Sequence, residues 1–282
     1  MGICFFRIGK IDQKGSEYVS FLVLYISTPM LILESLLVPF EPGKLVLGVW
    51  ILVLSGAVML ISAIVGKLFF KRHPLRQFTV VFSNVGFMGI PLVRSLLGNE
   101  AVFFMSLFNV VLTVLVWTYG VYLLTGSWKD VSLKKVILNP CILAVIVGLI
   151  FFVCGVHLPV VITETIHNLG NLNTGLAMLL LGIYLAQTDL AAFFVKKEVW
   201  KISILRLVVV PLITLAMLVL IPIDNTVRMV LLVAAATPTG GLLPMLSQQF
   251  DQDYEFGSGV VSITTLLSLI TMPLCMMLVP FA

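Results

Sequence analysis

Residues 84–91 read NVGFMGIP, inside an uncharged stretch from Gln77 to Val93 that is long enough to cross a lipid bilayer. Two glycines and a proline at that place decide the fold. Proline has no N–H to donate and crowds the preceding turn, and glycine costs a helix about 1 kcal/mol relative to alanine. The segment is therefore expected to unwind, with Pro91 opening a new half-helix, where its missing N–H has no intrahelical partner. Unwound backbone in hydrocarbon must be buried in protein or line a wet cavity, because each unsatisfied polar group costs several kcal/mol.

Working outward, the 282 residues are 60% hydrophobic and only 11% charged, with a mean hydropathy of +1.15. This composition excludes an ordinary soluble domain and indicates an all-α polytopic membrane protein. A hydrocarbon core of about 30 Å takes roughly 20 apolar residues per helix. Charged and Gly/Pro-rich punctuation cuts the chain into nine spans near 17–38, 45–69, 76–97, 100–124, 136–155, 159–187, 197–221, 226–249 and 255–279. The start MGICFF lacks the long apolar core and cleavage site of a signal peptide.

Basic residues gather in every other connection: Arg7, Lys10 and Lys14; Lys71, Arg72 and Arg76; Lys129, Lys134 and Lys135; Lys196, Lys197 and Lys201. The intervening connections hold only Lys44 and Arg228, so the first set faces the cytoplasm. The acidic Asp251, Asp253 and Glu255 then also fall inside, against a weak trend. The net charge of +4 is thus an orientation signal, and no nucleic-acid partner is implied. Cys4, Cys141, Cys154 and Cys275 stand alone, and His73, His157 and His167 have no ligand spacing, so neither a metal nor another cofactor is expected.

An internal repeat is the most informative feature. Residues 237–244 read TPTGGLLP, again rich in small polar residues and ending in proline, with Pro244 placed 153 residues after Pro91. The same shift sets Asn84 onto Thr237, Gly2 onto Gly155 and Pro29 onto Gly182. Five spans from 136 onward answer four complete ones before it, and the partner of span 136–155 falls ahead of the chain, with MGICFF expected to be its tail. An odd number of spans per repeat makes the two halves enter the membrane from opposite sides. The expected fold is an inverted repeat of two five-helix units, 1–124 and 136–282, whose broken helices cross near the midplane and whose first helix is largely missing.

In that arrangement the half-helix N-termini after Pro91 and Pro244 point towards one region, each carrying roughly half a positive charge and free N–H donors. Such a place suits an anion, above all a carboxylate. Asn84, Thr237 and Thr239 supply side-chain donors and acceptors, while Gly86, Gly89, Gly240 and Gly241 allow close backbone approach. Asn109, inside span 100–124, either reaches the crossing or bonds a neighbouring helix. Arg206, five residues beyond Lys201, either snorkels towards the cytoplasm or serves as an accessory substrate contact. Arg94 and Glu34 lie near the outer ends of their spans, where an ion pair or solvation is expected. Asn168, Asn171 and Asn173 sit opposite the Pro29 region by the repeat, where they are expected to satisfy opened backbone.

The stretch FSNVGFMGIPLVRSLLGNEA, followed by FNVVLTVLVWTYG, resembles the corresponding region of the auxin efflux carrier family of permeases. LLLGIYLAQTDL, RLVVVPL, AAATPTGGLLPML and VSITTLLSLITMPL resemble that family's last four helices, in order. The resemblance implies ten helices in two inverted repeats and transport of small carboxylates such as malate or of an auxin-like acid. It further implies a mobile transport unit of 45–124 plus 197–279 and a dimerising scaffold of 17–38 plus 136–187. A bacterial-type permease is the nearer likeness, because the long cytoplasmic loop of some plant exporters is absent.

The expected function is alternating-access transport of a small organic anion across the cell membrane by a multi-pass homodimer. A proton- or sodium-coupled antiporter or symporter of the same architecture is the alternative, with a channel behind it. The breaks carry no carboxylate of the kind proton coupling uses, so the coupling ion stays open. No acid, base and nucleophile constellation of an enzyme is present in the sequence.

Overall fold

The computed structural model describes residues 1–156, 158–188 and 190–278, without the side chains of Leu133 and Lys135; His157 and 279–282 lie outside it. The described chain is a bundle of helices. Gly2–Arg7 (α1) precedes Gln13–Leu36 (α2) and Pro42–Phe70 (α3). Then come the short Pro74–Val81 (α4), Val85–Leu97 (α5) and Asn99–Thr125 (α6). The second half holds Pro140–Cys154 (α7), Val160–Gln187 (α8), Lys197–Val219 (α9), Asn225–Ala236 (α10), Leu243–Gln249 (α11) and Tyr254–Met276 (α12). Six of these, α2, α3, α6, α8, α9 and α12, are long and apolar enough to cross a membrane alone.

Local sequence sets the ends. Pro42, Pro74 and Pro140 occupy first-turn positions, where a missing N–H is harmless. Asp12, Asp224 and Asp253 cap α2, α10 and α12 by accepting backbone N–H groups. Gly126 and Gly155 stop α6 and α7 in the left-handed conformation.

Spans 76–97 and 226–249 are each two half-helices, α4 with α5 and α10 with α11. Span 136–155 forms the shorter α7, of 15 residues. The breaks lie at 82–84 and 237–242, and they meet: Ser83 and Thr239 form an isolated antiparallel bridge. Asn84 N donates to Pro238 O at 2.9 Å, and Gly240 N donates to Phe82 O at 2.9 Å.

This corrects the expected unwinding over 84–91 and the expected place of Pro91. Winding resumes at Val85 as a π turn, Val85–Gly89, and Pro91 lies beyond it, inside the half-helix. The reason is that Ile90 and Gly89 donate five residues back, to Val85 O and Asn84 O. The widened turn makes room for the proline ring without opening the helix. Pro29 and Pro211 likewise follow π turns, at Val23–Ser27 and Leu205–Val209. Pro244 does stand in the first turn of its half-helix.

The helices pack in two groups. α2 lies against α7 and α8, and α1 lies against α8. Bare backbone permits both approaches: a Cβ at Gly148 would stand 2.6 Å from Leu36 Cδ1, and one at Gly182 3.1 Å from Gly2 Cα. Around the crossing, α3 packs on α4, α6 and α10, and α10 packs on α9 and α12. Residues Val230–Ala236 of α10 are buried or nearly so, at the centre of the protein.

Candidate functional site

A cleft opens at the crossing, between the two helix groups, with about 820 Å³ of empty space including its mouth. One wall is the crossing itself: Ser83, Asn84, Gly86 and Phe87 from the first half, and Gly240, Gly241 and Leu242 from the second. A glycine can only present main chain, so at Gly86, Gly240 and Gly241 the wall is peptide backbone. The first N–H groups of α5 and α11 have no partner within their helices, and Gly86, Phe87 and Leu242 are at those starts.

Asn84 is 2% exposed, and its Nδ2 has no protein partner. A Cβ at Gly241 would lie 3.5 Å from that nitrogen, so the amide sits between the two half-helix starts. Asn109 lines the same cleft beside Gly86, where an added Cβ would stand 4.0 Å from Asn109 Oδ1. Phe78, Phe82, Phe87 and Trp117 give the cleft an aromatic wall. Among the described lining residues there is no Asp, Glu, Lys, Arg or His.

Of the residues picked from sequence, Asn84, Gly86, Asn109, Gly240 and Gly241 line this cleft; Gly89, Pro91, Thr237, Thr239 and Pro244 do not. Thr237 Oγ1 donates to Ala234 O at 2.9 Å, and Thr239 Oγ1 to Thr79 O at 2.9 Å. Both hydroxyls therefore close backbone groups that the breaks leave open. Gly89 meets Thr237, whose Cγ2 would be 3.4 Å from an added Cβ.

Arg206 is a second correction. It neither snorkels nor reaches the cleft; it is 1% exposed and bonded to main-chain carbonyls. Burial in the protein centre, rather than the spacing from Lys201, sets its partners. Glu34 and Arg94 form the expected ion pair, Oε1 to Nη2 at 3.4 Å, with His167 Nδ1 2.8 Å from the same oxygen. Asn171 Oδ1 accepts from Arg94 Nη2 at 2.7 Å, tying α8 to α5. Asn173 Nδ2 donates to Thr28 Oγ1 at 2.7 Å beside Pro29, and so meets hydroxyls rather than opened backbone.

Sequence reasoning missed Tyr25, Thr28, Thr113, Trp117 and Asn139 as lining residues. A signal existed for two of them. Asn109, Thr113 and Trp117 repeat every four residues, which is one face of a helix. Tyr25, Thr28 and Asn139 come from the other helix group, and nothing in their local sequence points to the crossing.

Polytopic architecture, paired helix breaks and an internal cleft define a membrane carrier. The model of the family described as membrane transport protein, the auxin efflux carrier family, matches residues 6–132 and 125–276, and the chain belongs to that family. An uncharacterized transporter of Methanothermobacter thermautotrophicus is 26% identical over 281 residues, covering 95% of this chain and 90% of its own length. The protein is therefore a multi-pass transporter of the cell membrane, working in the lipid bilayer on a small transported substrate.

Proposed function

We propose that the carrier moves a small organic anion with one carboxylate and an apolar body, by alternating access and without a chemical step. The observation that carries this reading is the buried Asn84 amide, a donor without a partner at the start of α5, where main-chain N–H groups and the helix field favour negative charge. The aromatic wall suits an apolar body. With no Lys, Arg or His among the described lining residues, the site favours an auxin-like monocarboxylate over a dicarboxylate such as malate, whose second charge would lack a counterion.

The cleft lies between α2 and α7 on one side and the crossing on the other. In this reading α3–α6 with α9–α12 move as a unit against α1, α2, α7 and α8, within an inverted repeat. The approach of α1 to α8 beside that of α7 to α2 is in keeping with two inverted halves. The Glu34–Arg94 pair joins the two units and has to open or travel with each cycle. A homodimer through the scaffold belongs to the same proposal, and cross-linking in native membranes tests it.

Uptake into sealed vesicles tests the substrate. A radiolabelled aromatic monocarboxylate is expected to enter and its uncharged amide to be excluded, with malate a poor competitor. Equal uptake of acid and amide overturns the anion site.

A further inference from the structure

Arg206 is the largest fully buried side chain among the described residues, and recognition of an anion in the cleft gives it no task. Its Nε donates to Thr237 O at 3.1 Å, its Nη1 to Val80 O at 3.1 Å, and its Nη2 to Ala235 O at 3.0 Å and Ala234 O at 3.4 Å. These partners are the open carbonyl ends of the two half-helices that arrive at the crossing, α4 from the first half and α10 from the second. No carboxylate is among them. A helix C-terminus carries about half a negative charge, so the two together present about one unit. One guanidinium matches it.

Where crossed, broken helices bring such ends together in a secondary transporter, unwound carbonyls and helix C-termini are also what a coupling sodium ion binds. Here a tethered cation already holds that position. Arg206 also lies within the π turn Leu205–Val209, the widened turn ahead of Pro211, and such turns occur frequently at functional sites.

We propose that Arg206 is the resident counterion of the crossing, filling the site a coupling metal ion would need, so that the carrier runs without sodium. Arg206 is a positioning residue, since it touches the half-helix ends and not the cleft. The inference rests on the crossing being the core of a carrier; it does not depend on which anion is carried.

The test uses full-length protein purified in detergent, with guanidinium, sodium and choline chlorides as probes and the thermal unfolding midpoint as readout. Wild type is expected to respond to sodium no more than to choline. Arg206→Ala is expected to unfold at a lower temperature, and guanidinium at millimolar concentration to raise its midpoint saturably, as a ligand of the folded state does. A merely structural arginine would give the loss of stability without this rescue. A folded alanine variant indifferent to guanidinium, or a saturable stabilisation of wild type by sodium over choline, overturns the proposal. Should the alanine variant not fold, Arg206→Lys is expected to yield more folded protein than Arg206→Gln, and equal yields overturn it. In vesicles, wild-type uptake is expected to be the same in sodium and choline, and sodium-dependent uptake overturns the proposal. Absence of any anion uptake would count against the substrate reading and leave the midpoint measurements intact.

Discussion

The two breaks that cross at the centre of the protein are built differently. The first is three residues long, Phe82–Ser83–Asn84, and sends a side-chain amide into the cleft. The second runs over 237–242 and sends main chain, at Gly240 and Gly241, while its threonine hydroxyls are spent on Ala234 O and Thr79 O. The bridge that joins them pairs Ser83 with Thr239, and Asn84 N donates to Pro238 O beside it. The lesson is that symmetric breakers do not make a symmetric site. Side-chain recognition comes from the first half and bare backbone from the second.

The largest expected effect sharpens this contrast at Gly86. An added Cβ meets nothing closer than Asn109 Oδ1 at 4.0 Å, so there is room for the first side-chain carbon and Gly86→Val puts its branched side chain into the cleft. Uptake is expected to be lost while folded protein in the membrane stays near wild type. At Gly241 the same Cβ would stand 2.9 Å from Phe87 Cδ2, so there the glycine is required by packing. Normal uptake by Gly86→Val would place the substrate elsewhere.

Next is Asn84→Ala. A hydrogen bond to a charged group contributes about 1.5–3 kcal/mol, which at 1.4 kcal/mol per decade is roughly a tenfold to hundredfold loss of affinity. The unfolding midpoint is expected to change little, because Asn84 Nδ2 bonds nothing in the protein. Competition of labelled uptake by unlabelled acid measures the affinity. An unchanged half-maximal concentration would remove Asn84 from the site.

Much of this architecture is legible in the amino-acid sequence. Spans follow from apolar length and charged punctuation, and these are strong signals because bilayer thickness fixes the length. That helices break in 76–97 and 226–249 follows from their glycines and prolines. Where they break does not, since the π turns ahead of Pro29, Pro91 and Pro211 depend on which carbonyl each N–H selects, a choice that composition does not encode. Arg206 is hard to place for a related reason: a long cation five residues from Lys201 suits an interface by sequence, and only the convergence of two carbonyl ends gives it a buried home. Asn84 and Asn109 stand out because amides are rare in apolar spans. Thr237 and Thr239 look alike in sequence and serve the backbone instead.

The smallest expected effect tests that last distinction. Thr237→Val removes the hydroxyl and keeps the shape of the side chain, including the methyl that meets Gly89. Ala234 O keeps a donor, Arg206 Nη2 at 3.4 Å, so the loss is one hydrogen bond of about 1 kcal/mol rather than a stranded carbonyl. Stability should fall by about that much, and apparent affinity should stay within about twofold of wild type, well below the 1.4 kcal/mol that marks a decade. Paired with Asn84→Ala, the substitution separates the halves: one variant loses affinity at constant stability, the other loses stability at constant affinity. A tenfold loss of affinity in Thr237→Val with an unchanged unfolding midpoint would mean that the second break recognises substrate through its side chains after all, and that the cleft in transport is wider than the one seen between α2, α7 and the crossing.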